Sequence, residues 1–408
     1  MPVRLDKVPA QAVRPTRPRV WLWAGLLPVF LLVGAGLAWL SSPLPLDQQS
    51  VDFWALTLGV PLSSWCVLGF GRALLYIGQQ SAADGWDEAR ENDVFRKTRQ
   101  GRRTQQLLGA SLYTPLREPG ANAAAQLDTL LSGAVALKTR PVGEGAPSLR
   151  HSLFPGDREN PEHLLLEVLK EVLGDLAPTL AQLPDSKPLA LSLEIESGLP
   201  EGVLRRVWRE AWRLSGIRQA TTPVEGSGLA AVDHWLDQRI DDQALLLVVA
   251  VQFAPEQPED TAEVAVGLVF GNRLTQSTLA PIAYLHRPEQ ERASTDAALL
   301  YAAQQALAWV PLPAHSIEQV WRVGIHAQRH AALSAVSAEV SLPARPNPKC
   351  CSLDDLLGHP GQAAPWVAIV AAAQTIERGA GPQFIFSGGT VADGLWSTVL
   401  MPVSSPSK

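Results

Sequence analysis

Two apolar runs dominate the first eighty positions. Val20–Leu40 carries no charged residue, Phe53–Gly71 carries none, and Arg72 interrupts a continuation to Ile77. Each approaches the roughly 20 residues that cross a hydrocarbon core about 30 Å thick. The pattern predicts a two-helix transmembrane hairpin over residues 20–78, preceded by an arm at 1–19. Ser81–Leu108 is polar, mixed in charge and free of proline, which predicts a helical stalk over 79–110.

Beyond the stalk the period changes. Leu189–Glu196, Ala244–Phe253, Ala262–Phe270, Val320–Ile325, Phe384–Phe386 and Trp396–Val403 read as strands. Ala244–Phe253 is almost continuously apolar, as expected of a strand covered on both faces. Between them lie helical patterns: Pro161–Leu173 capped by Asn160, Glu201–Leu214, Leu229–Arg239, Thr295–Trp309 and the alanine-rich Gln362–Arg378. Glu201–Leu214 places Leu204, Val207, Trp208, Ala211 and Trp212 on one face, and Arg205, Arg209 and Arg213 around the other. The arginine row reads as the wet side of an amphipathic helix. The alternation predicts a layered α/β body over 111–403, ahead of a short Ser/Pro tail at 404–408.

Charge orients the hairpin. The arm holds Arg4, Lys7, Arg14, Arg17 and Arg19; the loop Ser41–Asp52 holds no Lys or Arg; Arg72, Arg90, Arg96, Lys97, Arg99, Arg102 and Arg103 follow the second run. The positive-inside rule then expects a multi-pass protein of a bacterial inner membrane, with arm and body in the cytoplasm and lipid contact through 20–78. The first run is too long for a signal-peptide core, and a second follows at once. The second run is the weaker span, with Pro61, Ser63, Ser64 and Gly69. Were it not to cross, the compartment of the body would flip.

Composition narrows the chemistry. Lys and Arg number 34 against 40 Asp and Glu, a net charge of -6, which argues against a nucleic-acid partner. The cysteines are Cys66 and the adjacent Cys350 and Cys351; they form no disulfide framework and have no metal partners at ligand spacing. No phosphate-binding glycine loop is present, and His326 and His330 lack the glutamate of a zincin motif. No cofactor and no metal is expected. Asp233, His234 and Asp237 read as exposed helix residues.

Three segments carry a family resemblance. Leu357-Gly358-His359-Pro360-Gly361-Gln362-Ala363-Ala364 opens the alanine-rich helix. Phe384-Ile385-Phe386-Ser387-Gly388-Gly389-Thr390 precedes the last strand. Upstream, Gly228–Val251 is followed by Glu263-Val264-Ala265-Val266-Gly267, and Val323-Gly324-Ile325-His326 ends a strand in histidine. In this order they resemble the thiolase/beta-ketoacyl synthase superfamily. The resemblance implies a helix-layered body with a thiolate at the N-terminus of a buried helix and two histidines beside it. No cysteine falls at Thr222–Ser227, where that thiolate would lie; His326 lacks the Gly-Thr-Gly-Thr that follows it in the family, and Leu353-Asp354-Asp355 replaces a lysine-bearing piece. The expectation is a degenerate thiolase-like domain with no catalytic residue, in which Ser227, His326 and His359 mark the degenerate positions.

The layout of hairpin plus such a body is similar to that of type VI lipase adaptor proteins. That resemblance implies a non-catalytic adaptor for a secreted effector, a protein partner. It calls for an aromatic or apolar patch, for which Trp208, Trp212, Trp235, Trp309, Trp321, Trp366 and Trp396 are candidates unless they are core. Two alternatives stay open: an immunity or membrane-scaffold protein, and an acyl transferase or hydrolase using Ser227 with His326 or His359.

Overall fold

The computed structural model describes residues 3–41, 50–118, 120, 125–141, 148–310, 312–343, 352–389 and 394–403. Cys350, Cys351 and the tail at 404–408 lie outside them. The chain divides into a unit at Arg4–Thr98 and a body that begins at Arg99.

In the first unit, helix α1 spans Val20–Ser41 and helix α2 spans Val51–Gly101. At about 1.5 Å per residue, α1 is about 33 Å long. Both helices are long and apolar enough to cross a membrane. No residue of α1 is buried, and Leu32, Leu37, Leu56 and Phe70 all point outward. A helix apolar all round and uncovered by protein suits lipid better than water. The pair meets at Gly34, where a side chain would strike Pro61, and Trp65 Nε1 donates to the Trp23 carbonyl at 2.8 Å. The N-terminal arm lies along the polar part of α2. Ala12 N–H donates to Asp87 at 2.9 Å, Arg90 to the Pro9 carbonyl at 2.7 Å, and Arg14 pairs with Asp84 and Asp87. The arm thus lies against the polar end of α2.

The expected stalk at 79–110 needs correcting. Its helix is continuous with the second apolar run and stops at Gly101, and Thr104–Tyr113 is strand β1 in the body. Gln105 and Gln106 made this stretch look solvated, yet both are buried.

The body continues with α3 (Ala125–Leu131), β2 (Lys138–Pro141), β3 (Ser148–Ser152), α4 (Pro161–Leu180), β4 (Leu189–Ser197), α5 (Glu201–Ser215), β5 (Thr221–Pro223), α6 (Gly228–Gln238), β6 (Leu245–Phe253), β7 (Thr261–Ala262) and β8 (Val264–Asn272). Strands β2, β3 and β7 form a small separate sheet; the others run in the order β5-β4-β6-β8-β1. β4 is parallel to β5 and β6, and β8 is antiparallel to β6 and β1. Next come β9 (Ala283–His286), β10 (Glu289–Gln290), α7 (Asp296–Trp309), β11 (Gln319–Val323), α8 (His330–Glu339), α9 (Leu353–Leu357), α10 (Ala364–Glu377), β12 (Gln383–Ser387) and β13 (Trp396–Pro402). Here the order is β11-β12-β13-β9, with β13 antiparallel to both neighbours.

The two segments are one pattern used twice. Numbered within its own half, the first sheet reads 3-2-4-5-1 with strand 5 antiparallel. The second reads 2-4-5-1, and Ser352 makes a single parallel bridge to Arg322 of β11 where strand 3 belongs. Antiparallel pairing of β1 with β9, from Thr104↔His286 to Leu107↔Ala283, joins the halves.

Alternation along the strands sorts their side chains into layers. Leu246, Val248 and Ala250 of β6 share a core with α6 and α10, whereas Leu245, Leu247 and Val249 share another with α4 and α5. Phe384 and Phe386 of β12 pack with α7 and α8. The layers are therefore helix, sheet, helix, sheet, helix. From Ala364 to Ile376 every residue of α10 is buried, which accounts for its alanines.

Asp233 and Asp237 also depart from expectation. Asp233 is buried and the side chain of Asp237 is covered, both against the wholly buried Arg287, with Asp233 at 2.9 Å. Gln100 Nε2 adds a hydrogen bond to Asp237 at 2.7 Å. Arg287 directly follows β9, at the join of the halves, so its charge is neutralised by acids from α6. Among the tryptophans, Trp235, Trp309, Trp321 and Trp366 are core, while Trp208 and Trp212 form a partly buried pair with ring centroids 5.7 Å apart.

Candidate functional site

Strand β4 reads Leu-Ala-Leu-Ser-Leu-Glu-Ile-Glu-Ser. Its period of two turns Ser192, Glu194 and Glu196 toward the central helices. The Glu194 carboxylate accepts hydrogen bonds from Ser192 Oγ at 3.0 Å, Gly228 N–H at 2.8 Å and Trp366 Nε1 at 3.0 Å. Gly228 opens α6 with φ +58°, a conformation that favours glycine. An acid thus sits at the positive end of α6, where free N–H groups attract negative charge. Glu196 serves the other central helix: it accepts from Gln362 N–H at 3.2 Å, in the turn that leads into α10.

Ser227 is the N-cap of α6 but makes no capping hydrogen bond. Together with Glu194, Gly228, Gln290, Gln362 and Trp396 it lines a cavity of about 430 Å³. Neither His326 nor His359 is among the lining residues.

The two histidines meet each other instead. Their rings stack with centroids 5.1 Å apart and planes 22° apart. Gly361 N–H donates to His359 Nδ1 at 3.2 Å, which assigns the proton of the neutral ring to Nε2. Nε2 of His326 is buried without a hydrogen-bond partner among the described residues, and His359 lies against the Gly324 backbone. Burial pushes both imidazoles below the ordinary histidine range, and the charge of His359 lowers His326 further.

The turn that presents His326 is held by Asp354. Its carboxylate accepts Gly324 N–H and Ile325 N–H, each at 2.8 Å. Burial pushes this acid up to about 6, against the lowering effect of those two donors. His330 faces the Ile325 carbonyl at 3.1 Å. No His/Cys/Asp/Glu cluster suited to a metal occurs among the described residues.

The structure thus brings His326 and His359 together and places Ser227 on the cavity. No hydrogen bond links Ser227 to either histidine among the described residues. Glu194 was missed in the sequence, although its signal was there: two acids at alternate positions on the same face of a strand whose other face is Leu and Ile.

Among solved structures the body is similar to the ketosynthase from module 1 of the bacillaene synthase of Bacillus amyloliquefaciens FZB42 (TM-score 0.54, 11% identity, covering 76% of this chain and 74% of that one). It is similar to the ishigamide ketosynthase/chain length factor (TM-score 0.52, 16% identity, 74% and 100%). It also matches the PfaC keto synthase-chain length factor (TM-score 0.51, 12% identity) over 74% of this chain and only 43% of that one. Neither protein-family models nor curated protein sequences give a match. At these identities the likeness is one of fold: the body is a ketosynthase/thiolase-like α/β domain.

Proposed function

We propose that this chain is a membrane-anchored binding protein that has kept the ketosynthase fold without its condensing chemistry. The observation that carries the reading is Glu194. A condensing nucleophile needs the N-terminus of its helix free to stabilise a thiolate and the oxyanion that follows. In this chain the Gly228 N–H is held by an internal carboxylate, itself tied to Ser192 and Trp366. A second negative charge there would meet repulsion. The paired histidines are stacked on each other, and Ser227 has no base within a hydrogen bond among the described residues.

On this reading residues 20–78 cross a bacterial inner membrane as a hairpin, and the body displays a surface to a protein partner in the cytoplasm. The finer reading is an adaptor that holds a secreted effector for the type VI machinery. The layout of hairpin and body supports it, as do the basic flanks of both spans. The full-length protein in detergent should co-purify with an effector, and the triple variant Ser227→Ala, His326→Ala, His359→Ala should retain that partner. Hydrolysis or transfer of an acyl thioester by the wild type, abolished in the triple variant, would overturn the reading in favour of an enzyme. A C-terminal alkaline phosphatase fusion should be inactive; an active fusion would put the body outside the cytoplasm and favour an immunity role.

A further inference from the structure

The edge of the sheet in the first half is only partly covered. β5 pairs with β4 from Leu189 to Leu191 and no further. Val224 N–H donates to the Leu191 carbonyl at 2.9 Å, so alternate residues beginning at Leu191 turn their backbone groups toward this edge. Leu193 and Ile195 follow in the same phase, and neither has a ladder partner on that side among the described residues. A row of unpaired N–H and C=O groups is a template for one more strand.

The side chains beside that row form a matching groove. Leu193, Ile195, Leu204 and Trp208 line a depression of about 560 Å³ together with Glu201, Arg205 and Arg209. Leu193 is 38% exposed, unusual for a leucine in the middle of a sheet. Trp208 lies against Trp212 on the same helix, their ring planes tilted 37° apart. Arg205 is tied to Glu201. Arg209 donates from Nε to the Arg205 carbonyl at 3.2 Å and makes no ion pair among the described residues.

We infer that this edge is a docking site for an extended, acidic–apolar segment of a partner protein, added as a strand beside β4. Three features select that occupant. Only another backbone offers donors and acceptors at the spacing of Leu193 and Ile195. Alternate side chains of the added strand would fall into the Leu204–Trp208 groove, which asks for apolar residues at every second position. The unpaired Arg209 asks for a carboxylate. The inference deepens the binding role proposed above and rests on it.

The test is a phage-displayed random heptapeptide library panned against the full-length protein in detergent micelles. Enriched peptides should alternate apolar residues and carry Asp or Glu. Synthetic copies, followed by fluorescence anisotropy, should bind Ile195→Pro and Arg209→Glu at least roughly tenfold more weakly, the size of one lost hydrogen bond to a charged group. Ile195→Pro removes an N–H that points away from β6, a position where an edge strand tolerates proline. Should that variant fail to fold by circular dichroism, Arg209→Glu, at an exposed position of α5, carries the test. Peptides without alternation, or equal binding by Arg209→Glu, would overturn the inference. So would light scattering that shows two copies joined through this edge and separated by Ile195→Pro. An effector captured equally well by wild type and Arg209→Glu would sink the docking edge and leave the adaptor reading standing. Edge-bound peptides with no effector recovered would do the reverse.

Discussion

In the first half of the body a carboxylate from β4 closes the N-terminus of α6, and a three-residue β5 still flanks that strand. In the second half the third strand has shrunk to the single bridge at Ser352. The approach to α10 is held by Glu196 and by the ring of His359. Both central helices therefore receive negative charge from the same strand, at positions two residues apart. The starts of both central helices are thus met internally, by acids of a single strand.

The join between the halves offers the largest test. Arg287→Ala would leave Asp233 and Asp237 buried without their cation, at a cost of about 3–5 kcal/mol. Urea unfolding should show it; a loss under about 1 kcal/mol would mean that the halves do not depend on this ion cluster. Glu194→Ala comes next. It strands the Gly228 N–H, Ser192 Oγ and Trp366 Nε1, for about 3 kcal/mol. Glu194→Gln should not rescue fully, because its amide would point a donor at a donor. Wild-type stability in Glu194→Gln would show that the pocket does not require an acceptor on both oxygens.

A comparable effect, visible only at high pH, belongs to Glu289. Burial pushes this carboxyl from 4.5 up to about 7, against the hydrogen bond from Trp309. Its contribution to stability is full below 4.5 and is lost as the pH rises through 7. Glu289→Gln keeps an acceptor for Trp309. It should flatten the stability–pH curve across that window and raise stability at pH 8 by up to about 3 kcal/mol. Denaturant midpoints between pH 4.5 and 8 measure this, and an unchanged slope would refute it. The smallest effect separates two helix caps. Thr295 accepts from Ala298 N–H, so Thr295→Ala should cost about 1 kcal/mol. Ser227 caps nothing with its side chain, and Ser227→Ala should stay within about 0.5 kcal/mol. Thermal melts that rank them the other way would mean that Ser227 has a structural partner.

Much of this body was legible in the sequence because burial leaves a period. The almost continuously apolar run at Ala244–Phe253 became β6, with Leu245–Phe253 buried throughout. Asn160 and Pro161 marked the start of α4, where Asn160 accepts from His163 N–H. The alanine-rich helix and the two strands around it fell where the resemblance put them, and the solved ketosynthase structures bear out the fold. What escaped was polar and buried. Thr104–Gln106 looked like solvated stalk because hydropathy does not see a glutamine enclosed by neighbouring strands. Asp233 and Asp237 looked exposed because their cation lies fifty residues away, across the join. Glu194 carried a local signal, the alternation of β4, but its partners come from α6 and α10, and no local window contains them.

Strand β9 has a consequence for how the chain folds. It is four residues long, and its neighbours are β1, from near the start of the body, and β13, from Trp396–Pro402. Every strand of the first sheet is complete once Asn272 has been made, so that half can form its own ladder while the rest is still being synthesised. The second half has no such freedom. β9 is held by β1 alone and β12 by β11 alone until β13 joins them, and non-local pairing of this kind is slow. The growing chain should therefore pass through a state with one finished half and one open edge at β9, the stage at which a chaperone would have most to protect.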